Sequence, residues 1–196
     1  ISDVGDLPSA RSAFTATQSS SHGYFGGGQV SDTVERLDFS NNTASYIGDL
    51  SESRDQLTAT SSSSYGYFAG GEPGPIVDTV DRIDFSNDTL STPGNNLTQA
   101  RTGLAAVSGG ASYRISGSRT YGYFGGGIAP GFVCTIDRLD FSNETLSLPG
   151  NNLPQARSSL AATSSSSYGY FGGGGTPPEV STIDRLDFSN ETLSLP

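Results

Sequence analysis

The stretch "SSSSYGYFGGG" (164–174) has the look of low-complexity filler, yet near-copies stand at "SSSHGYFGGG" (19–28), "SSSSYGYFAGG" (61–71) and "GSRTYGYFGGG" (117–127). A second landmark follows each copy: "VERLDFSNNT" (34–43), "VDRIDFSNDT" (80–89), "IDRLDFSNET" (136–145) and "IDRLDFSNET" (183–192). A third precedes each, as "LPSAR" (7–11), "LSESR" (50–54), "LTQAR" (97–101) and "LPQAR" (153–157). Between Arg36, Arg82, Arg138 and Arg185 the period is 46, 56 and 47 residues, the long interval holding extra residues around "GGASYRISG" (109–117). Self-similarity at such a period marks a repeat protein. One domain over 1–196 with units at about 7–49, 50–96, 97–152 and 153–196 follows.

Within a unit, turn chemistry separates four short extended segments. In the last unit "SLAAT" (159–163) reads as a strand and the serines at 164–167 as its turn. "YGYF" (168–171), "STIDRLDF" (181–188) and "TLSL" (192–195) follow, stopped by glycines and by a Ser-Asn-Glu-Thr turn. Nothing reads as a helix. Four short strands in about 47 residues predict an all-β fold, a β-propeller whose blades are the four repeats. The aromatics supply bulk between adjacent sheets. Glycine after them tolerates positive φ and close backbone approach. A phosphate-cradling loop would have to open a helix, and none follows "GYFGGG".

Composition bounds the function. Leu, Ile, Val and Phe make up 41 of 196 residues, near the level at which chains become disordered, but their regular placement, with 26 Gly, argues for a folded repeat. The net charge is −10, with ten Arg and no Lys, so no basic stripe exists for nucleic acid or an anionic membrane. No apolar run approaches a spanning helix. The lack of Met and of a secretory signal leads to the expectation of a processed product or a segment of something longer. The single cysteine, Cys134, reads as a small, partly buried hydrophobe.

The order of an Arg, a small-residue strand, an aromatic strand ending in Gly-Gly, a variable loop and "[DE]R[LI]DF" resembles the kelch repeat over essentially the whole chain. The Gly-Gly element falls on Gly26–Gly27, Gly70–Gly71, Gly125–Gly126 and Gly172–Gly173. Kelch units usually carry a Trp in the fourth strand, where Tyr46, Ser91, Ser147 and Ser194 lie here. The wording "ARSSLAATSSSSYGYFGGG" followed by "STIDRLDFSNETLSLP" resembles kelch-like repeats in virion, tail and fibre proteins of marine phages and algal viruses. The resemblance implies a kelch-like propeller of four four-stranded blades.

Few residues suggest chemistry. In each "DRLD" the Arg and the second Asp stand two apart and share a strand face: Arg36 with Asp38, Arg82 with Asp84, Arg138 with Asp140, Arg185 with Asp187. Four copies point to contacts that stitch blades together, shared by Arg11, Arg54, Arg101 and Arg157. Asn41, Asn87, Asn143, Asn190 and Asn96 lie in sequons for glycosylation, though "SN-x-T" is itself a good tight turn. His22 is the only histidine, with counterparts near Ser64, Thr120 and Ser167. No metal site, no cofactor and no nucleophilic triad is expected.

The expected role is therefore non-enzymatic: a structural and recognition module, a virion appendage component at a virion surface or extracellular. Its partner is a protein or surface glycan, with further copies of itself in a larger assembly. The second-to-third loops vary most and carry the expected contact residues Gln29, Glu72, Pro75, Ile76, Ile128, Phe132, Pro177 and Glu179. The opposite face near 109–117 is the fallback. Rivals are a secreted, N-glycosylated filament or adhesion protein and a glycan-processing enzyme, the last needing paired carboxylates in one cleft. Ile1 and Pro196 share nearly one phase of the repeat, which favours a closed four-bladed ring over the alternative, four units of a larger ring or of one shared with other copies of the chain.

Overall fold

A computed structural model of the chain describes residues 6–29, 31–72, 74–109 and 120–195. The described residues form no helix and fold as four antiparallel four-stranded sheets around one axis, an all-β, four-bladed propeller. Blade 1 is β1 (Thr15–Gln18), β2 (His22–Gly26), β3 (Thr33–Asp38) and β4 (Thr43–Asp49). Blade 2 is β5 (Thr58–Ser61), β6 (Tyr65–Ala69), β7 (Val80–Asp84) and β8 (Thr89–Ser91). Blade 3 is β9 (Ala105–Gly109), β10 (Tyr121–Gly125), β13 (Ile136–Asp140) and β14 (Thr145–Ser147), with a small hairpin of β11 (Ile128–Ala129) and β12 (Gly131–Phe132) between its second and third strands. Blade 4 is β15 (Ala161–Ser164), β16 (Tyr168–Gly172), β17 (Ile183–Asp187) and β18 (Leu193–Ser194). Each sheet lies within one of the four sequence units.

The strands stop where their turn residues dictate. "SLAAT" begins pairing two residues later than the sequence predicts, because Ser159 takes a left-handed conformation (φ 55°). Ala13, Gln56 and Gly103 do the same at the equivalent place. These four positions form a relay around the axis: Gln56 N–H donates to Ala13 C=O, Gly103 N–H to Gln56 C=O, and Ser159 N–H to Gly103 C=O. The strain of three non-glycine left-handed residues is thus offset by one backbone bond per blade step.

The repeated "YGYFG" strand is the packing unit. Residues two apart share a face, so Phe68 looks back at blade 1 while Tyr67 looks forward to blade 3. A Cβ on Gly26 would stand 2.6 Å from the ring of Phe68, and one on Gly125 would stand 2.9 Å from that of Phe171. These glycines are the sockets for the next blade's phenylalanine. Gly126, at φ +71°, brings its backbone so near blade 4 that a Cβ would lie 2.6 Å from the Arg157 carbonyl.

Among the described residues the apolar core falls into three clusters, each spanning one blade step. Tyr24 and Val34 meet Phe68 and Ile83; Tyr67 and Val80 meet Phe124 and Leu139; Tyr123 and Ile136 meet Phe171 and Leu186. Among the described residues the innermost strands β1, β5, β9 and β15 run side by side in that order, and β15 does not pack on β1 as closely as each of the others does on the next. Among the described residues the closed ring expected from the phase of the repeat is therefore not formed. The two outer faces differ from the buried ones: Ile183 is 49% exposed where Ile136 is fully buried, and Phe39 is 44% exposed. The ends used for that expectation, Ile1 and Pro196, and residues 110–117 of the third unit lie outside the described residues.

Candidate functional site

Two networks of charge hold the blades, and they divide the work differently from the sequence expectation. Arg11, Arg54, Arg101 and Arg157 are drawn into the blades, where each meets the first acid of the "[DE]R" pair. Arg11 Nη2 stands 2.5 Å from Glu35, Arg101 Nη2 2.5 Å from Asp137 and Arg157 Nη2 2.6 Å from Asp184, and Arg54 pairs with Asp81. Arg101 also donates to the carbonyls of Thr135 (3.1 Å) and Phe124 (3.0 Å). Burial pushes the Arg54 and Arg101 guanidinium groups below their ordinary range, while Asp81 and Asp137 pull the other way. Burial likewise raises the Asp81 carboxyl, against Arg54 and Ser51. These pairs are internal to a blade and pin its leading loop to its third strand.

The second arginine reaches across to the next blade. Arg36 pairs with Asp88, Arg82 Nη1 lies 2.7 Å from Glu144, and Arg138 Nη1 lies 2.9 Å from Glu191. The same acids accept the phenol protons of Tyr24 (2.9 Å), Tyr67 (3.0 Å) and Tyr123 (3.0 Å). Burial first and the adjacent carboxylate second raise these three phenols above their ordinary range, keeping them neutral donors. Above each salt bridge the tyrosine ring stacks on a phenylalanine of the next blade: Tyr24 on Phe85, Tyr67 on Phe141 and Tyr123 on Phe188. Arg82, Arg138 and Arg185 also lie over the rings of Tyr65, Tyr121 and Tyr168.

Asp38, Asp84, Asp140 and Asp187 take a different place from the one expected. None is the interblade partner of its arginine; each caps its own turn, accepting from the backbone and hydroxyl of Ser40, Ser86, Ser142 or Ser189. The hydrogen bonds from serine hold Asp38, Asp84 and Asp187 below the ordinary carboxylate range. A turn aspartate so close to its own N–H donors satisfies them first. The partner acid sits instead at the variable position of "SN-x-T". That position is left-handed in all four turns, and in blade 1 it is Asn42.

The sequon asparagines are part of the same turns. Asn41, Asn87, Asn143 and Asn190 are exposed, and each side-chain oxygen accepts the backbone N–H of the threonine two residues on. Asn96 differs: it accepts from Val80 N–H and donates to Asp78, tying the exit of blade 2 to its third strand. His22 aligns in register with Tyr65, Tyr121 and Tyr168, the immediate neighbours of Ser64, Thr120 and Ser167. Its Nδ1 stands 2.9 Å from Ser21 Oγ and its Nε2 3.8 Å from Asp38. At that distance the carboxylate does not orient the imidazole, and its other oxygen is engaged by Ser40.

The second-to-third loops and the interblade crossings lie on one face: Gly28, Gly71 and Gly127 N–H donate to Arg54, Arg101 and Arg157 C=O, and the fourth loop bridges through Gly175 to Ser158 of its own blade's leading segment. Gln29 is exposed and its N–H donates to Ser12 C=O. Glu72 bridges to Asp55 and accepts from Gln56 (2.6 Å). Pro75 is exposed and Ile76 half-buried. Ile128 bridges to Thr102, and Phe132, which pairs with Ile128 at the open end of the extra hairpin, is 41% exposed. Pro177 and Glu179 are exposed. The structure thus brings these residues to one rim. On the axis, three residues from each innermost strand (16–18, 59–61, 106–108 and 162–164) line a cavity of about 480 Å³. Its walls are Ala, Thr, Ser, Val and Gln, with no ionisable group. A hydroxyl-rich groove of about 190 Å³, lined by Ser62–Tyr65 and by Thr120, Phe141 and Ser142, lies between blades 2 and 3. No group of three or more His, Cys, Asp or Glu able to hold a metal occurs among the described residues, and Cys134 is free.

Blades of this kind, joined by repeated side-chain contacts around an axis, define the β-propeller class. A solved structure titled "Structure of YjhT" matches 99% of this chain and 68% of its own, with a TM-score of 0.78 at 14% identity. At that identity the likeness is one of fold. No protein-family model matches the sequence. No curated protein matches it.

Proposed function

We propose that this chain is a non-enzymatic structural and recognition module that holds a protein or surface-glycan partner on the rim of second-to-third loops, as a component of a virion appendage. The observation that carries the reading is the contrast within each blade. The strands keep one register in all four units, whereas the loops between second and third strands differ in length, proline content and exposed side chains. Divergence on an invariant scaffold is how a rigid fold presents different contacts. Phe132, large and exposed on the second strand of a two-stranded hairpin, has the character of an interface anchor. The kelch-like wording of the units supports the viral placement, and the charge of −10 favours partners that are neutral or basic.

The test is binding to an immobilised panel of surface glycans and to whole host cells. Two proteins are compared, the native chain and one in which 28–32, 72–78, 128–134 and 175–181 are Gly-Ser linkers. Binding lost while circular dichroism and thermal midpoint hold supports the rim. Phe132→Ser alone weakens binding on the order of tenfold or more. Binding that survives the four-loop replacement overturns the reading.

A further inference from the structure

The three blade steps inside the chain use one lock, and the outer face of blade 4 presents half of that lock without its mate. At each internal step the arginine of the third strand and the tyrosine of the second converge on one carboxylate of the next blade: Asp88, Glu144 or Glu191. On blade 4 the same two groups are Arg185 and Tyr170. Among the described residues Arg185 pairs with no acid, donating instead to Ser194 Oγ of its own blade (3.1 Å), and Tyr170 donates to no carboxylate. The backbone half of the lock is open too. Gly28, Gly71 and Gly127 N–H donate to an arginine carbonyl of the following blade at 3.0, 2.9 and 2.8 Å, whereas Gly174 N–H has no such acceptor among the described residues. Gly173, whose counterpart Gly126 would bring a Cβ within 2.6 Å of a carbonyl, has nothing nearer than 3.7 Å.

The chain's own first blade offers the matching half incompletely. It exposes Phe39, the counterpart of the phenylalanines that cover the tyrosines. But at the turn position where blades 2, 3 and 4 carry Asp or Glu it carries Asn42. An amide there supplies no negative charge to Arg185, so the charge-assisted pair made at the other three steps cannot form. We infer that the outer face of blade 4 is a docking surface for a further blade of the same repeat that bears an acidic residue at its Ser-Asn-x-Thr turn, and not for blade 1 of this chain or of a second copy. Continuity with three established interfaces and the charge of Arg185 select that partner. This proposal is independent of the loop rim, since no rim contact residue takes part.

The experiment extends the 196-residue chain after Pro196 with an in-frame copy of 150–196, whose turn carries Glu; a sister protein carries Gln at that one place. Amide hydrogen exchange at Gly174 is read against Gly127. In the Glu protein Gly174 exchange slows by at least about tenfold, towards that of Gly127, and the Gln protein keeps the lesser part of that protection. Gly174 exchanging as fast in the Glu protein as in the unextended chain overturns the proposal, as does equal protection in both. Sedimentation separates the remaining occupant. The unextended chain stays monomeric, and Asn42→Glu makes it associate head to tail. Association of the unextended chain that Phe39→Ser abolishes would make blade 1 the occupant and overturn the proposal.

Discussion

Residues 135–149 and 182–196 are the same fifteen-residue sequence, "TIDRLDFSNETLSLP", in two environments. In blade 3 it lies between two blades; in blade 4 its forward side is open. The strand pairing is alike: Arg138 lies opposite Tyr123 and Arg185 opposite Tyr170. On the backward side both copies are buried, Leu139 at 1% and Leu186 at 0% exposure. On the forward side they part company, with Ile136 at 0% against Ile183 at 49%. Local sequence therefore builds the blade, while the neighbour decides which residues become core. This is the behaviour of a linear array in which each unit's stability is completed by the next.

The largest test of that division removes a pair that belongs to the blade itself. Arg101→Ala leaves Asp137 buried with its charge uncompensated and frees two carbonyls; the expected loss is about 4–5 kcal/mol in a urea titration. Arg11→Ala, on the open side of blade 1, costs a large part of that, because the Arg11 and Glu35 side chains are nearly as secluded although Arg11 itself is only half-buried. A small loss at Arg11 beside a large one at Arg101 would make the buried pairs interblade features after all. Next comes the socket. Phe171→Ala empties a fully buried site against Gly125 and costs roughly 3–5 kcal/mol, whereas Phe25→Ala, with no blade before it, costs about 1–2 kcal/mol. Equal losses at Phe171 and Phe25 would break the comparison, and a loss under about 1 kcal/mol at Phe171 would take it out of the core.

The strands, turns and blade count were legible because they depend on local chemistry. "SN-x-T" closes its own hairpin through Asn and Asp side chains, and "YGYFG" alternates bulk with sockets. The pairing of charges was less legible. Arg36 and Asp38 share a strand face, and spacing alone matched them, but Asp38 is taken by Ser40 two residues away and Arg36 by Asp88 in another blade. A contact 52 residues distant leaves its trace only as a correlation between units: acid at the turn of units 2, 3 and 4, amide in unit 1. The same trace marks the open ring, which the phase of the repeat obscured. The rim loops could be placed together from topology, but the extra hairpin of 128–132 could not, since its strands are two residues each.

A finer test targets the lock. Glu191→Gln weakens two donors' shared acceptor at a partly exposed site, so the expected loss is about 1–2 kcal/mol. Asn42→Asp, at a turn that pairs with no arginine of its own chain among the described residues, changes stability by less than about 0.5 kcal/mol in solutions dilute enough to keep the protein monomeric. Calorimetric midpoints of the two variants check the pair, and a larger effect at Asn42 than at Glu191 would show that the open face is engaged.

The smallest effect concerns the turns, which should be indifferent to whether a blade is covered. Serine hydrogen bonds lower the Asp38, Asp84 and Asp187 carboxyls below their ordinary value of 3.8. A carboxylate with a folded value below its unfolded one contributes stability that is fully present above the unfolded value and is lost as pH falls through the folded one. Asp81 runs the other way: burial raises its folded value, so its ionisation erodes stability as pH rises from the unfolded value to the folded one. Below pH 3.8 the fall of stability with acid is therefore owed in part to the turns. Ser86→Ala in covered blade 2 and Ser189→Ala in open blade 4 remove the hydroxyl half of each cap, and each makes that acid limb shallower by the same amount. Urea midpoints measured from about pH 2.5 to 6 read it. A flattening confined to Ser86→Ala would mean that the turn of a blade, like its forward face, is completed by the neighbour, and the division between blade and interface would have to be redrawn there.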